Sequence, residues 1–262
     1  MATLSLLELK PLLNHDVEIY ITSPVPPGAS MGTSATVSVA LIKAVGSLLT
    51  KEGIRALAPA EEALLAHRAE TEVMRGESGT QDQWSAAFSH GAQFITISPF
   101  PQTELEQINL SPKTVHQLES GLITIFVGSH NSSHVHTTVI KKLTNKKGDS
   151  PLLERLRQLA IDAKDTLSKG KLQDYGRILS ANTETQRSLH LDLVGPDHLK
   201  ILRLAHTLPG YLGGKVNGAG GGGGSVTLLF ESKAAATRFF HLANETHKKE
   251  EYLYYEHKIA GA

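Results

Sequence analysis

The sequence predicts an α+β fold, on three observations. Residues 17–23 alternate apolar and polar side chains, the period of a half-buried strand. A Pro/Gly-containing loop follows, and residues 35–49 then place Val37, Leu41, Val45 and Leu48 at helical spacing. Further along, strand-like and helix-like segments mix without the regular alternation of a doubly wound sheet.

The elements follow in order. Residues 59–74 predict a second helix, with proline near its first turn and alanines and leucines behind it. Residues 75–80 read as a loop before a short apolar helix that begins near Gln81-Asp82-Gln83-Trp84, and 94–97 alternate like a strand. Residues 98–118 are polar and contain proline with no clear period, which places a domain boundary there and gives units of 1–117 and 118–262. Beyond it, 122–127 read as a buried strand, and 151–169, about 171–188 and 196–208 as helices. Residues 226–230 predict a strand, 234–243 a helix and 252–255 a short terminal strand.

Composition narrows the function classes. Apolar residues make up 40% of the 262 and charged residues 20%, which excludes wholesale disorder. Twenty-six basic residues balance 26 acidic ones, so no global field gathers nucleic acid or an anionic membrane, and any anion site must be built locally. With no cysteine, disulfide scaffolds, thiolate zinc sites and cysteine nucleophiles are excluded, and a cytoplasmic location is expected. The first ten residues lack the basic start and apolar run of a signal peptide. No uncharged apolar run approaches the roughly 18 residues that span a bilayer.

Three segments can carry chemistry. In the loop at 24–35, Gly28 and Gly32 let backbone approach a ligand closely, and Thr33 and Ser34 stand where a helix begins. Free amides and the helix dipole favour phosphate there, and a hydroxyl suits magnesium. An ordinary capped turn fits the same residues, and this is not a Walker A loop, since three residues separate the glycines and no lysine follows. In the second segment, Glu70 and Glu72 sit two apart on a helix and cannot face one site together. Asp82, after a glycine loop, fits either a carboxylate that accepts a hydroxyl proton or a helix N-cap. The third is the run from Gly213 to Ser225, with five consecutive glycines before a strand. Such a run costs about 0.5–1 kcal/mol per position against alanine in a regular element, which favours close backbone approach over a plain hairpin turn. His130, His134 and His136 form a further cluster. In an extended chain, His134 and His136 share a face, whereas His130 lies about 13 Å from His134, so solvated or capping roles are expected ahead of a metal.

Taken together and in this order, these segments resemble the GHMP kinase superfamily. Pro-Pro-Gly-Ala-Ser-Met-Gly-Thr-Ser-Ala at 26–35 is similar to its phosphate loop, and Gly218–Gly222 to its Gly-Ala-Gly-Gly-Gly motif. Gly79-Thr-Gln-Asp-Gln-Trp resembles the corresponding stretch of D-glycero-D-manno-heptose 7-phosphate kinases. The resemblance implies an α+β fold with a partial N-terminal domain and a ferredoxin-like C-terminal domain. It implies transfer of the γ-phosphate of ATP, with Mg²⁺, to a hydroxyl of a sugar or sugar phosphate, without nucleic acid or membrane partners. By position, Asp82 would orient or deprotonate the acceptor. Pro27, Gly28, Ser30, Gly32, Thr33, Ser34, Gly218, Gly220 and Gly221 would shape the nucleotide site. Ser34 and Glu72 would hold the metal, with Glu70 as the second choice. Ser30 stands where the family has glycine, and Thr80 where it has lysine. Only 16 residues precede the expected strand at Val17, so a truncated start is expected. A non-catalytic sugar- or nucleotide-binding protein, or an inactive remnant of the fold, is the alternative.

Overall fold

Thr33–Lys51 forms the first helix, α1, because its buried residues Ala35, Val39, Ile42, Val45 and Leu49 recur every three to four positions. The computed structural model describes Thr3 and residues 17–51, 53–129, 150–218, 220–246 and 252–259. These divide into two units. The first comprises the described residues up to Pro27, Gly32–Ser89 and Gln93–Glu106; the second comprises Gly28–Met31, His90–Ala92 and the described residues from Gln107 onward.

In the first unit, α1 packs with α2 (Pro59–Arg68) and α3 (Gln81–Phe88). Val39 and Ile42 meet Ala63, Ala66, Trp84 and Ala87, and the three alanines let the helices approach closely around one indole. α1 is long and apolar enough to pass for a membrane span by length and composition. It also carries Lys43, whose ammonium donates to Ala87 O at 2.7 Å and lies 3.6 Å from Glu62, so its inward face serves this core. The chain adds a two-stranded sheet of β1 (Ala92–Ile97) and β2 (Thr103–Ile108).

The strand expected at 17–23 is not formed. Residues 17–23 join neither sheet, and Val17, Ile19, Tyr20 and Ile21 are exposed, Tyr20 by 84%. Alternation makes a strand only where a neighbouring strand takes up its backbone groups. The opposite happened at Thr103–Ile108 and Pro112–Gly121, which lie in the stretch read as structureless. The helix there, α4, begins with Ser111 accepting the amide of Thr114 and with proline in its first turn.

The second unit is a four-stranded antiparallel sheet in the order β4 (Tyr211–Val216), β5 (Gly224–Phe230), β3 (Leu122–Gly128), β6 (Leu253–Glu256). Helices α5 (Pro151–Ser168), α6 (Leu172–Leu189) and α7 (Pro196–His206) lie between β3 and β4 in the chain, and α8 (Lys233–Thr246) between β5 and β6. This β-α-β-β-α-β order is the ferredoxin-like arrangement that the resemblance implies. One sheet face, with Ile123, Ile125, Val216, Val226, Leu228 and Phe230, buries itself against Ile201 and Ala205 of α7 and Ala236, Phe239 and Ala243 of α8. Phe239 is fully buried, and its truncation to alanine removes about 3–5 kcal/mol. α6 meets β4 backbone to backbone, since a side chain on Gly213 would overlap the carbonyl of Gly176. Gly213 and Gly214 therefore belong to a strand, not to the glycine loop in which the sequence placed them.

Candidate active site

α2 does not end at Arg68 but widens into a π turn, Ala69–Val73, closed by Met74 N donating to Ala69 O at 3.1 Å. Arg75 then turns left-handed (φ 55°), and Gly76 N returns to Glu70 O at 2.9 Å. The wider turn aims Glu70 at the start of α1. Ser34 Oγ donates to Glu70 Oε1 at 3.0 Å, while Ser78 Oγ and Gln83 Nε2 donate to Oε2 at 2.6 and 2.7 Å. Gln83 is buried and also reaches Ser78 Oγ at 3.0 Å, so one amide ties the carboxylate to a second of its partners. His67 Nε2 donates to Ser78 O at 3.2 Å and holds the loop from behind.

Glu72, expected beside Ser34, is placed elsewhere. It faces Arg68 one turn back, at 2.9 Å, and that guanidinium holds its carboxyl below the usual carboxylate range. Glu70 has the position beside Ser34.

Asp82 stands in the first turn of α3 against Gly32 (φ 67°). A Cβ on Gly32 would lie 3.2 Å from Asp82 Cγ and 3.3 Å from Oδ2, so the bare face of this glycine seats the carboxylate. Thr36 N and Thr36 Oγ1 both donate to Gly32 O at 2.9 Å, which starts α1 at that residue. The amides of the first turn then lie at the helix end that favours anions. Thr33 Oγ1 is buried without a hydrogen-bond partner. Thr80 is buried, its hydroxyl taken up by Thr103 Oγ1 at 2.7 Å.

In the second unit, Gly28–Met31 meet the 217–224 turn. Gly28 (φ 76°) and Ser30 (φ 55°) flank Ala29, whose carbonyl accepts Ser225 Oγ at 2.6 Å. A side chain on Gly218 would press on Ser30 Cβ at 3.1 Å, and one on Gly220 would overlap Leu193 O. His198, buried at the start of α7, accepts Gly195 N at its Nδ1. Its proton is therefore on Nε2, which donates to Gly223 O at 2.7 Å. Neither His198 nor Gln83 stands out in the sequence, because a histidine at the third position of a helix and a glutamine beside an aspartate carry no signal until the fold places them. His130, His134 and His136 lie outside the described residues.

Hydroxyl and carboxylate oxygens make up the Ser34–Glu70 set, and they fit a hard cation such as Mg²⁺. No three of His, Cys, Asp or Glu group into a metal site among the described residues. The unpartnered Thr33 hydroxyl, at an anion-favouring helix end, fits a bound phosphate oxygen.

Residues 2–90 match the family described as GHMP kinases N terminal domain. Over 91% of this chain and 69% of the other, the fold superposes on L. major mevalonate kinase in complex with R-mevalonate, with TM-score 0.68 at 21% identity. The chain has the GHMP kinase fold. Its sequence is 28% identical over 241 residues to the mevalonate kinase of Thermococcus onnurineus, covering 88% of this chain and 65% of that protein. It is likewise 28% identical over 206 residues to the D-glycero-alpha-D-manno-heptose 7-phosphate kinase of Campylobacter jejuni, covering 77% and 58%. The chain spans about three-fifths of the length of the curated relatives it matches.

Proposed function

We propose that this chain is an ATP-dependent phosphotransferase of GHMP type that acts on the hydroxyl of a small sugar, sugar phosphate or mevalonate-like acceptor. The observation that carries the reading is Asp82 seated on Gly32, at the same end of α1 as the Ser34–Glu70 pair. Asp82 accepts the acceptor's hydroxyl proton and aligns that oxygen. In the first unit, Gly32, Thr33 and the first-turn amides of α1 suit phosphoryl oxygens. In the second unit, taken by itself, Gly28, Ser30, Gly218, Gly220 and Gly221 leave backbone open to a nucleotide. Ser34 and Glu70 would hold Mg²⁺, which would supply charge neutralisation on the phosphates. Gln83 and Ser78 keep Glu70 aimed.

Equal identity to a mevalonate kinase and a heptose kinase makes the acceptor a matter for assay. ADP release is measured with ATP·Mg²⁺ and, in turn, mevalonate, heptose 7-phosphate and galactose. One acceptor is expected to raise ADP release well above the acceptor-free rate. Asp82→Asn is expected to lower that turnover by about 10²–10⁴-fold while nucleotide affinity and circular dichroism stay unchanged. Undiminished turnover removes Asp82 from the chemistry. Calorimetric binding of ATP with no ADP release from any acceptor favours a sensor over an enzyme.

A further inference from the structure

One row of polar side chains crosses the whole sheet of the second unit. On the face opposite the apolar cluster, each strand contributes a rung. His257, just past β6, has Nε2 2.8 Å from Thr124 Oγ1 on β3. Thr124 pairs across the ladder with Thr227 of β5, Oγ1 to Oγ1 at 2.8 Å. Asn217, at the end of β4, reaches Thr227 Oγ1 with its Nδ2 at 2.9 Å and its Oδ1 at 3.2 Å. The same Nδ2 lies 3.0 Å from Ser225 Oγ, and Ser225 ends the row on the Ala29 carbonyl.

The direction of the last links is fixed by chemistry. A carbonyl only accepts, so Ser225 Oγ gives its one proton to Ala29 O and must accept from Asn217 Nδ2. The orientation of the Asn217 amide follows, and Thr227, touching both ends of that amide, holds it. Thr124 and Ser225 are buried, as is Ala29, so an unmade bond at either of those two hydroxyls leaves a desolvated group. Two valines would fill the space of the threonine pair, yet the row is polar throughout and ends on the backbone between two left-handed residues, Gly28 and Ser30. Those are the residues whose bend sets the loop.

We propose that the His257–Thr124–Thr227–Asn217–Ser225 row is a positioning relay that sets the backbone of the phosphate loop at Ala29 from the far edge of the sheet. The relay rests on the reading of 28–31 as a nucleotide-holding loop. Its residues touch no reacting atom and act through Ala29.

Thr227→Val removes the central hydroxyl at nearly constant volume, and Thr227→Ser keeps it. Hydrogen exchange at the amides of Ser30 and Met31 is expected to be about tenfold faster in Thr227→Val and to return within about twofold in Thr227→Ser. The KM for ATP follows the same pattern, with the KM for the acceptor unmoved. Ser225→Ala cuts the last link alone and is expected to accelerate exchange equally, which keeps the test standing if Thr227→Val fails to fold. Unchanged exchange in the folded variants overturns the relay, as does a Thr227→Ser that exchanges as fast as Thr227→Val. A wild-type chain that neither binds nor hydrolyses ATP sinks the kinase reading, while the exchange comparison still decides the relay.

Discussion

The glycines of the 217–224 turn and Gly32 at the start of α1 differ in what presses against them. Backbone crowds Gly220, where a side chain would overlap Leu193 O, and backbone of the turn crowds Gly195, where one would overlap Gly221 O. Gly32 is crowded by a carboxylate side chain, Asp82. Gly220 answers to architecture, as does Gly223, whose carbonyl the buried His198 ties to the start of α7. Gly32 answers to chemistry, because the group it makes room for is the one proposed to take a proton. The difference teaches that a glycine motif is read by its neighbour and not by its count.

Substitutions separate the two kinds of glycine. Gly220→Ala combines a left-handed backbone (φ 57°) with overlap onto a carbonyl, and is expected to cost about 3 kcal/mol or more of stability by urea denaturation. Gly32→Ala is expected to cost only about 1–2 kcal/mol, from its left-handed backbone. It is expected to lower turnover about 100-fold, since its Cβ displaces Asp82. A stability loss without a turnover loss would erase the distinction between the loops. His198→Phe strands Gly195 N and Gly223 O and should cost about 1–3 kcal/mol, read from the melting temperature. Smallest is Gly222→Ala. No atom lies within 4 Å of its Cβ position, so the expected change is within about 0.5 kcal/mol. A large loss there would mean that something beyond the turn's own backbone demands the glycine.

Helix positions were legible in the sequence wherever an apolar stripe and a start signal coincided, as in α1 and in α7 with Pro196. The strands were less so. Residues 17–23 have the alternation of a strand without a partner, whereas Tyr211–Val216 is a strand whose two glycines hid it. Pairing is a long-range property, and neither case is decided by local pattern. At the candidate site, Asp82, Ser34 and the glycines could be picked out by residue type and order. Glu70 could not be preferred to Glu72, because regular helical geometry assigns them opposite directions without saying which faces Ser34. The π turn and the Arg68 ion pair decide it, and both depend on the fold.

That π turn also resets the phase of α2. Residues of Pro59–Arg68 take their directions from the core they fill, with Ala63 and Ala66 turned inward every third position. Past Ala69 the winding changes, and the directions of Glu70 and Glu72 no longer continue that count. Deletion of Ala69 would therefore leave Ala63 and Ala66 in step while rotating Glu70 away from Ser34. A deletion earlier in the helix would disturb both. Five residues of looser winding thus make the aim of one carboxylate independently adjustable from the packing that supports it.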